Sequence, residues 1–149
     1  MSSRTEAGPP EFEAIIRQVG GDVADLPFWR GCREGRFLLH RCGSCQRSYW
    51  PASRCVEHGD ASMAWVEARG TGSLYTYTVM HHAYTKGMKD KVPYVVGVVK
   101  LDEGPFFHSN VVDCPLDELR VGMPLRAAMI EHESGLMVPV FRRAEAITK

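Results

Sequence analysis

Apolar residues at Phe12, Ile15, Ile16 and Val19 recur at i, i+3, i+4 and i+7, the stripe of a short amphipathic helix. Gly20-Gly21 is the expected stop. A second short helix is predicted to open at Asp25, with Pro27 in its first turn and Gly35 at its end. Leu26, Phe28 and Trp29 make this segment too apolar for a small helix facing only water. It is expected to pack on the core or on a partner, and Phe28 and Trp29 are the candidate partner-interface residues, more exposed in the free chain than core aromatics would be.

From Phe37 the chain reads as strands. Residues 37–40 read as a strand, and Ser48-Tyr49-Trp50-Pro51 as its return. Beyond His58-Gly59-Asp60 the texture is β throughout. Residues 64–68 and 72–80 are read as one long strand bent at Arg69-Gly70-Thr71-Gly72, where glycine permits a bulge or sharp coil. Further strands are predicted at 94–101, 105–112, 125–131 and 137–142. Asp102-Glu103-Gly104 is a turn by composition, and residues 115–119 supply one helical turn. Val95, Val96, Val98 and Val99 are apolar toward both faces, and Gly97 among them predicts a close approach in a barrel wall. A long curved strand, a hairpin, a short helix and a second hairpin is the order of a five-stranded OB-fold barrel.

Between helices and barrel lie two metal-ligand pairs of equal spacing, Cys42-Gly-Ser-Cys45 and Cys55-Val-Glu-His58. Each pair can present two donors to one tetrahedral ion, and thiolates with one imidazole suit Zn²⁺ better than Mg²⁺ or Ca²⁺. Four protein ligands leave no open position, so such a zinc is structural. The alternative is a ribbon that has lost its metal and keeps the thiols as small buried hydrophobes. The chain therefore divides into a leader and helical segment (1–35), a zinc ribbon (36–62), the barrel (63–143) and a tail (144–149). The fold class is mainly β.

Charge narrows the function. Lysine plus arginine equals aspartate plus glutamate at 18 each, so no net field draws the chain to nucleic acid or an anionic membrane. An OB face with Tyr75, Tyr77 and Tyr94 as stacking aromatics is the nucleic-acid alternative that this balance disfavours. No apolar run reaches the roughly 18 residues of a membrane span, and the first residues lack the apolar region of a secretory signal. Five cysteines, three in the metal pattern, fit a reducing cytoplasm. Cys32 and Cys114 lack partners at ligand spacing and read as buried or half-buried thiols.

Catalytic signals are sparse. The chain has no Gly-x-Ser-x-Gly elbow, no His-Glu-x-x-His and no phosphate loop. His81, His82 and His108 are the conceivable acid/base groups of a free-standing acyl-CoA enzyme. His40 lies near the first ligand pair, but on an apolar strand. Tyr84, Lys86, Lys89 and Lys91 occupy a polar loop beside the expected OB face, and its lysines would suit a phosphate-bearing ligand; the alternative is a solvated loop.

Several separated motifs share a likeness: Pro27-Phe28-Trp29, Gly35-Arg36-Phe37, Arg41-Cys42-Gly43-Ser44-Cys45, the run from Gly70 to Thr78, Val92-Pro93-Tyr94-Val95-Val96, and Leu101-Asp102-Glu103-Gly104. Together they closely resemble the DUF35 family of acyl-CoA-associated zinc-ribbon and OB-fold proteins. The resemblance implies a rubredoxin-like ribbon and a non-catalytic role as partner of a thiolase, a thiolase-like acyltransferase or a retro-aldolase, including those of steroid and lipid breakdown. It also implies a hetero-oligomer that helps hold or channel an acyl-CoA, with Lys86, Lys89, Lys91 and Tyr94 as candidate ligand-binding residues. Most zinc-bearing relatives show a fourth cysteine where this chain has His58.

Overall fold

The computed structural model describes residues 9–18 and 20–144. The expected tail beyond 144, the first eight residues, Val19 and the Phe12 side chain lie outside them. Helix α1 spans Pro9–Gln18. Its backbone ends where Gly20, at φ +85°, turns left-handed and the Gly21 amide donates back to the Ile16 carbonyl at 2.8 Å. Ile16 is wholly buried against Leu136, so α1 packs over the turn that follows the penultimate strand. Helix α2, Leu26–Arg33, carries Pro27 in its first turn as expected.

Strands β1 (Leu38–Cys42), β2 (Ser48–Tyr49) and β3 (Met63–Glu67) form a three-stranded antiparallel sheet in the order β2-β1-β3. Strands β4 (Thr71–Met80), β5 (Tyr94–Leu101), β6 (Phe106–Val112), β7 (Pro124–Glu131) and β8 (Met137–Arg143) close into a barrel ordered β4-β5-β6-β8-β7. Barrel closure runs through the parallel β6–β8 pair, Val111 with Phe141 and Val112 with Arg142. This is the five-stranded OB-type barrel that the order of elements predicts. No helix of the described residues is long and apolar enough to cross a membrane.

One strand joins a different sheet from the one expected. Residues 63–67 pair along their whole length with β1, Leu38 with Glu67 through Cys42 with Met63, and so complete the ribbon's sheet. They are not the first half of a bent barrel strand. Buried Gly70, at φ +74°, breaks the chain between the two sheets, and β4 begins on the barrel one residue later. The Ala127 amide donates to the Gly70 carbonyl at 2.7 Å and fixes that break against β7.

Gly97 does permit a close approach: a Cβ there would stand 2.9 Å from Val111 Cγ2 and 3.1 Å from Leu74 Cδ1. The main core is continuous across α2, the ribbon and the barrel. Phe28 of α2, Phe37 before β1, Phe107 of β6 and Phe141 of β8 meet edge to face or tilted, with centroids 5.2–6.1 Å apart. Phe28 is fully buried and Trp29 half-buried against the same core. The expectation that Phe28 offers an exposed partner surface is therefore corrected: the small barrel leaves its α2 side uncovered, and Phe28 fills that side.

Candidate metal centre

The two ligand pairs sit on two similar tight turns. In the first, β1 runs into Cys42, the Gln46 amide returns to the Cys42 carbonyl at 2.8 Å, and Gln46 turns left-handed at φ +69°. In the second, Cys55 and Gly59 exchange both backbone hydrogen bonds, at 2.9 and 3.0 Å, and Gly59 lies at φ +67°. Each pair is thus followed at once by one left-handed residue, which folds both donors of the pair to the same side. Glycine fills this position at no steric cost in the second turn. Gln46 holds the first turn by donating its side-chain amide to the Gly43 carbonyl at 3.0 Å.

These turns bring Cys42, Cys45, Cys55 and His58 together, with all four ligand atoms within 4.8 Å of one another. Cys42 Sγ and Cys55 Sγ each lie 3.6 Å from His58 Nδ1, and Cys45 Sγ lies 3.6 Å from Cys55 Sγ. A tetrahedral ion with bonds of about 2.3 Å to sulfur and about 2.0 Å to nitrogen has ligand–ligand edges of about 3.5–3.8 Å. The cluster therefore fits one such ion, with histidine binding through Nδ1.

The electrostatics favour thiolate at two of the three cysteines. The Glu57 amide, 3.4 Å from Cys55 Sγ, with help from the Tyr49 hydroxyl and His58, lowers that thiol to about 5. Amides of Cys45 and Ser44 lower Cys42. The Arg47 amide pulls Cys45 the same way, but desolvation and the neighbouring sulfurs outweigh it and leave that thiol raised. His58 is raised, first by Cys55 and then by Cys42. Thiolates gathered round a positive centre are what a bound cation would stabilise further.

His40 stays out of the cluster. Its ring lies 4.6 Å from that of Trp65, its Nδ1 accepts the Ser53 amide at 2.9 Å, and burial lowers its pKa. Buried Asp25 accepts the Ala52 amide at 2.7 Å, tying the start of α2 to the loop before Cys55. Neither tether was foreseen. Asp25 read as a helix cap, and nothing local distinguishes a capping carboxylate from one that reaches 27 residues along the chain. Tyr49, which also accepts the Val56 amide at 3.2 Å, was likewise visible only as a strand residue.

The remaining candidates are dispersed. Lys86, Lys89 and Lys91 are exposed on and after a 3₁₀ turn, Lys86–Met88, with Tyr94 half-buried opposite Met80 at the head of β5. Gly87 of that turn lies close to the Glu133 carboxylate between β7 and β8. His81 and His82 follow the end of β4, and His82 contacts the Tyr84 ring edge at 4.8 Å. His108 stands level with Val98 and Thr76, several residues away along the sheet, so the three histidines do not converge. Of the three tyrosines of the nucleic-acid alternative, Tyr77 packs on the core, Tyr94 is half-buried and Tyr75 is exposed. Cys32 is buried, with desolvation raising its thiol to about 12, and Cys114 is half-buried.

Known proteins share this architecture. The family model described as the ChsH2 C-terminal OB-fold domain matches residues 65–129. A DUF35 domain-containing scaffold protein of Methanocaldococcus jannaschii is 30% identical over 115 residues, covering 75% of this chain and 81% of that protein. The chain belongs to the DUF35 family. A probable enoyl-CoA hydratase alpha subunit of Thermomonospora curvata is 35% identical to this DUF35 protein over 122 residues, 80% of this chain. The chain spans only 38% of that relative's length. Among solved structures, a chain of the Ltp2-ChsH2(DUF35) aldolase superposes with a TM-score of 0.75 at 31% identity, covering 85% of this chain and 98% of that one.

Proposed function

We propose that this DUF35 protein is a non-catalytic subunit. It binds a thiolase, a thiolase-like acyltransferase or a retro-aldolase and leaves bond cleavage to that partner. The observation that carries the reading is the likeness to the Ltp2-ChsH2(DUF35) aldolase, which extends over nearly the whole of the aligned chain. The separation of His81 and His82 from His108 along the sheet supports it, because the three do not gather into one acid/base constellation.

In this reading the metal is zinc, held by Cys42, Cys45, Cys55 and His58. Zinc would cross-link the two ribbon turns and supply folding free energy with no open coordination position for substrate. Free thiols gathered at ligand distance suit a reducing cytoplasm. Lys86, Lys89 and Lys91, with Tyr94 beside them, would meet the phosphates of an acyl-CoA where the loop after β4 flanks the barrel wall.

Co-expression with each thiolase-superfamily protein of the source genome tests the role. One of them should co-elute with the chain, and acyl-CoA turnover should belong to the complex and be absent from the chain alone. Turnover by the purified chain, or failure of every such protein to co-elute, would overturn the proposal.

A further inference from the structure

Of the aromatics expected to mark a partner surface, Phe28 is core and Trp29 half-buried against it, yet the barrel presents others. Strand pairing between β4 and β5 shifts between Leu74 and Thr76, so Tyr75 is a bulge residue left without a partner on β5. Bulges re-aim side chains, and Tyr75 is 56% exposed. Its ring meets the edge of Phe106, itself 43% exposed, at 4.8 Å, and the Lys100 ammonium lies 5.1 Å from the Phe106 centroid. Leu74 exchanges backbone bonds with Gly122 and Met123, at 2.7 and 3.0 Å, which brings the segment of exposed Val121 alongside. Other exposed apolar side chains, such as Val56 and Ile130, belong to other parts of the chain.

The β5–β6 turn links this patch to a polar cleft of about 590 Å³ between ribbon and barrel. Asp102 and Glu103 of the turn line the cleft, facing Arg41, Glu67 and Arg69. Two polar atoms there, Arg41 Nε and Glu103 Oε1, are buried without a hydrogen-bond partner among the described residues. A buried donor and acceptor left unpaired are costly, so both side chains gain if a docking surface draws them out to an acceptor and a donor of its own. The three carboxylates disfavour a phosphate or other small anion. A polypeptide surface of mixed charge fits.

We infer that this end of the barrel is the docking face for the thiolase-like subunit. Tyr75 and Phe106 are its apolar centre, Lys100 its flanking cation, and the Arg41–Glu103 cleft its polar rim. The inference rests on the proposed subunit role and assigns that role a surface. Aromatic anchors with a polar surround are the usual anatomy of a binding hot spot.

The test measures affinity between the full-length chain and its co-eluting thiolase-superfamily protein by isothermal titration. Tyr75→Ala and Phe106→Ala should each weaken binding by about tenfold or more. Their melting temperatures should stay near wild type because both side chains are exposed. Ile130→Ala and Val56→Ala should bind as wild type. If the wild-type chain binds such a protein and the Tyr75 and Phe106 variants bind equally well, this face is wrong while the subunit role stands. If the two substitutions instead abolish a self-association of this chain and spare the heterocomplex, the face joins copies and the inference also fails. If no thiolase-superfamily protein binds the wild type, the role and the face fall together.

Discussion

Replacing Phe28 by alanine should be among the most damaging single changes in this molecule. The ring is fully buried and lies 5.0 Å from Trp29, 5.2 Å from Trp50, 5.6 Å from Phe37 and 6.0 Å from Phe107, centroid to centroid. Those neighbours come from α2, the ribbon and the barrel, so no single element can move to refill the space. A Phe→Ala change in a well-packed core costs about 3–5 kcal/mol, at the upper end where collapse is hindered. Domains of this size hold roughly 5–15 kcal/mol in total. At about 2–4 °C per kcal/mol, the metal-loaded protein should melt about 6–20 °C lower. Urea unfolding followed by tryptophan fluorescence gives the free energy directly, and Phe28→Leu should recover about half of the loss. Phe28 and Phe107 touch, so their alanine variants should couple by about 0.5–3 kcal/mol in a double-mutant cycle. A Phe28→Ala protein within about 0.5 kcal/mol of wild type would refute the placement of α2 in the core and restore Phe28 as a surface residue.

Chelation of the metal should lower the melting temperature and raise amide exchange over residues 42–59, and Cys45→Ser should do the same without chelator; equal stability with and without metal would contradict a structural ion. In the metal-free protein, Cys55 should ionise near pH 5, which alkylation rate against pH would report. Because its folded pKa is depressed, this thiol contributes most above its unfolded pKa and loses that contribution as pH falls toward about 5, so the stability gap to metal-free Cys55→Ser should widen as pH rises from 5. Gly72→Ala should cost about 1–3 kcal/mol or more by urea unfolding, since its Cβ would stand 2.3 Å from the Lys100 carbonyl oxygen across the β4–β5 pair. Replacing Lys86, Lys89 and Lys91 together by alanine should reduce acyl-CoA affinity of the assembled complex about tenfold, less at high salt, with isothermal titration as the measure.

Much of the fold was legible in local pattern, since runs of β texture with turn residues between them mark each barrel strand from 72 onward. The Cys/His cluster was legible for a different reason: two pairs at the same internal spacing have few other uses. What escaped the sequence was choice of partner. Residues 63–67 have the same texture as the barrel strands, and their pairing with β1 is settled by contacts more than twenty residues apart, between Cys42 and Met63 among others. Phe28 was misread because an apolar helix shows that it must cover something without showing what. Tyr75 was read as an aromatic of the OB face but not as a bulge residue, because a bulge shifts the inside–outside alternation by one, and alternation alone would not place Tyr75 and Thr76 both outward.

The pairing of β3 has a consequence for how this architecture can be divided. The homologous OB domain is matched from residue 65, in the middle of a strand that belongs to the ribbon's sheet. A fragment cut there would carry off Trp65, Val66 and Glu67 as a severed edge and leave β1 bare along the side they had covered. Phe37 would be removed with the ribbon and take a wall from the barrel's core, and the Ala68 amide would lose the Phe37 carbonyl that it meets at 2.8 Å. Ribbon and barrel therefore share one sheet edge and one core. An exchange between relatives would have to carry everything from α2 through β8 as one piece.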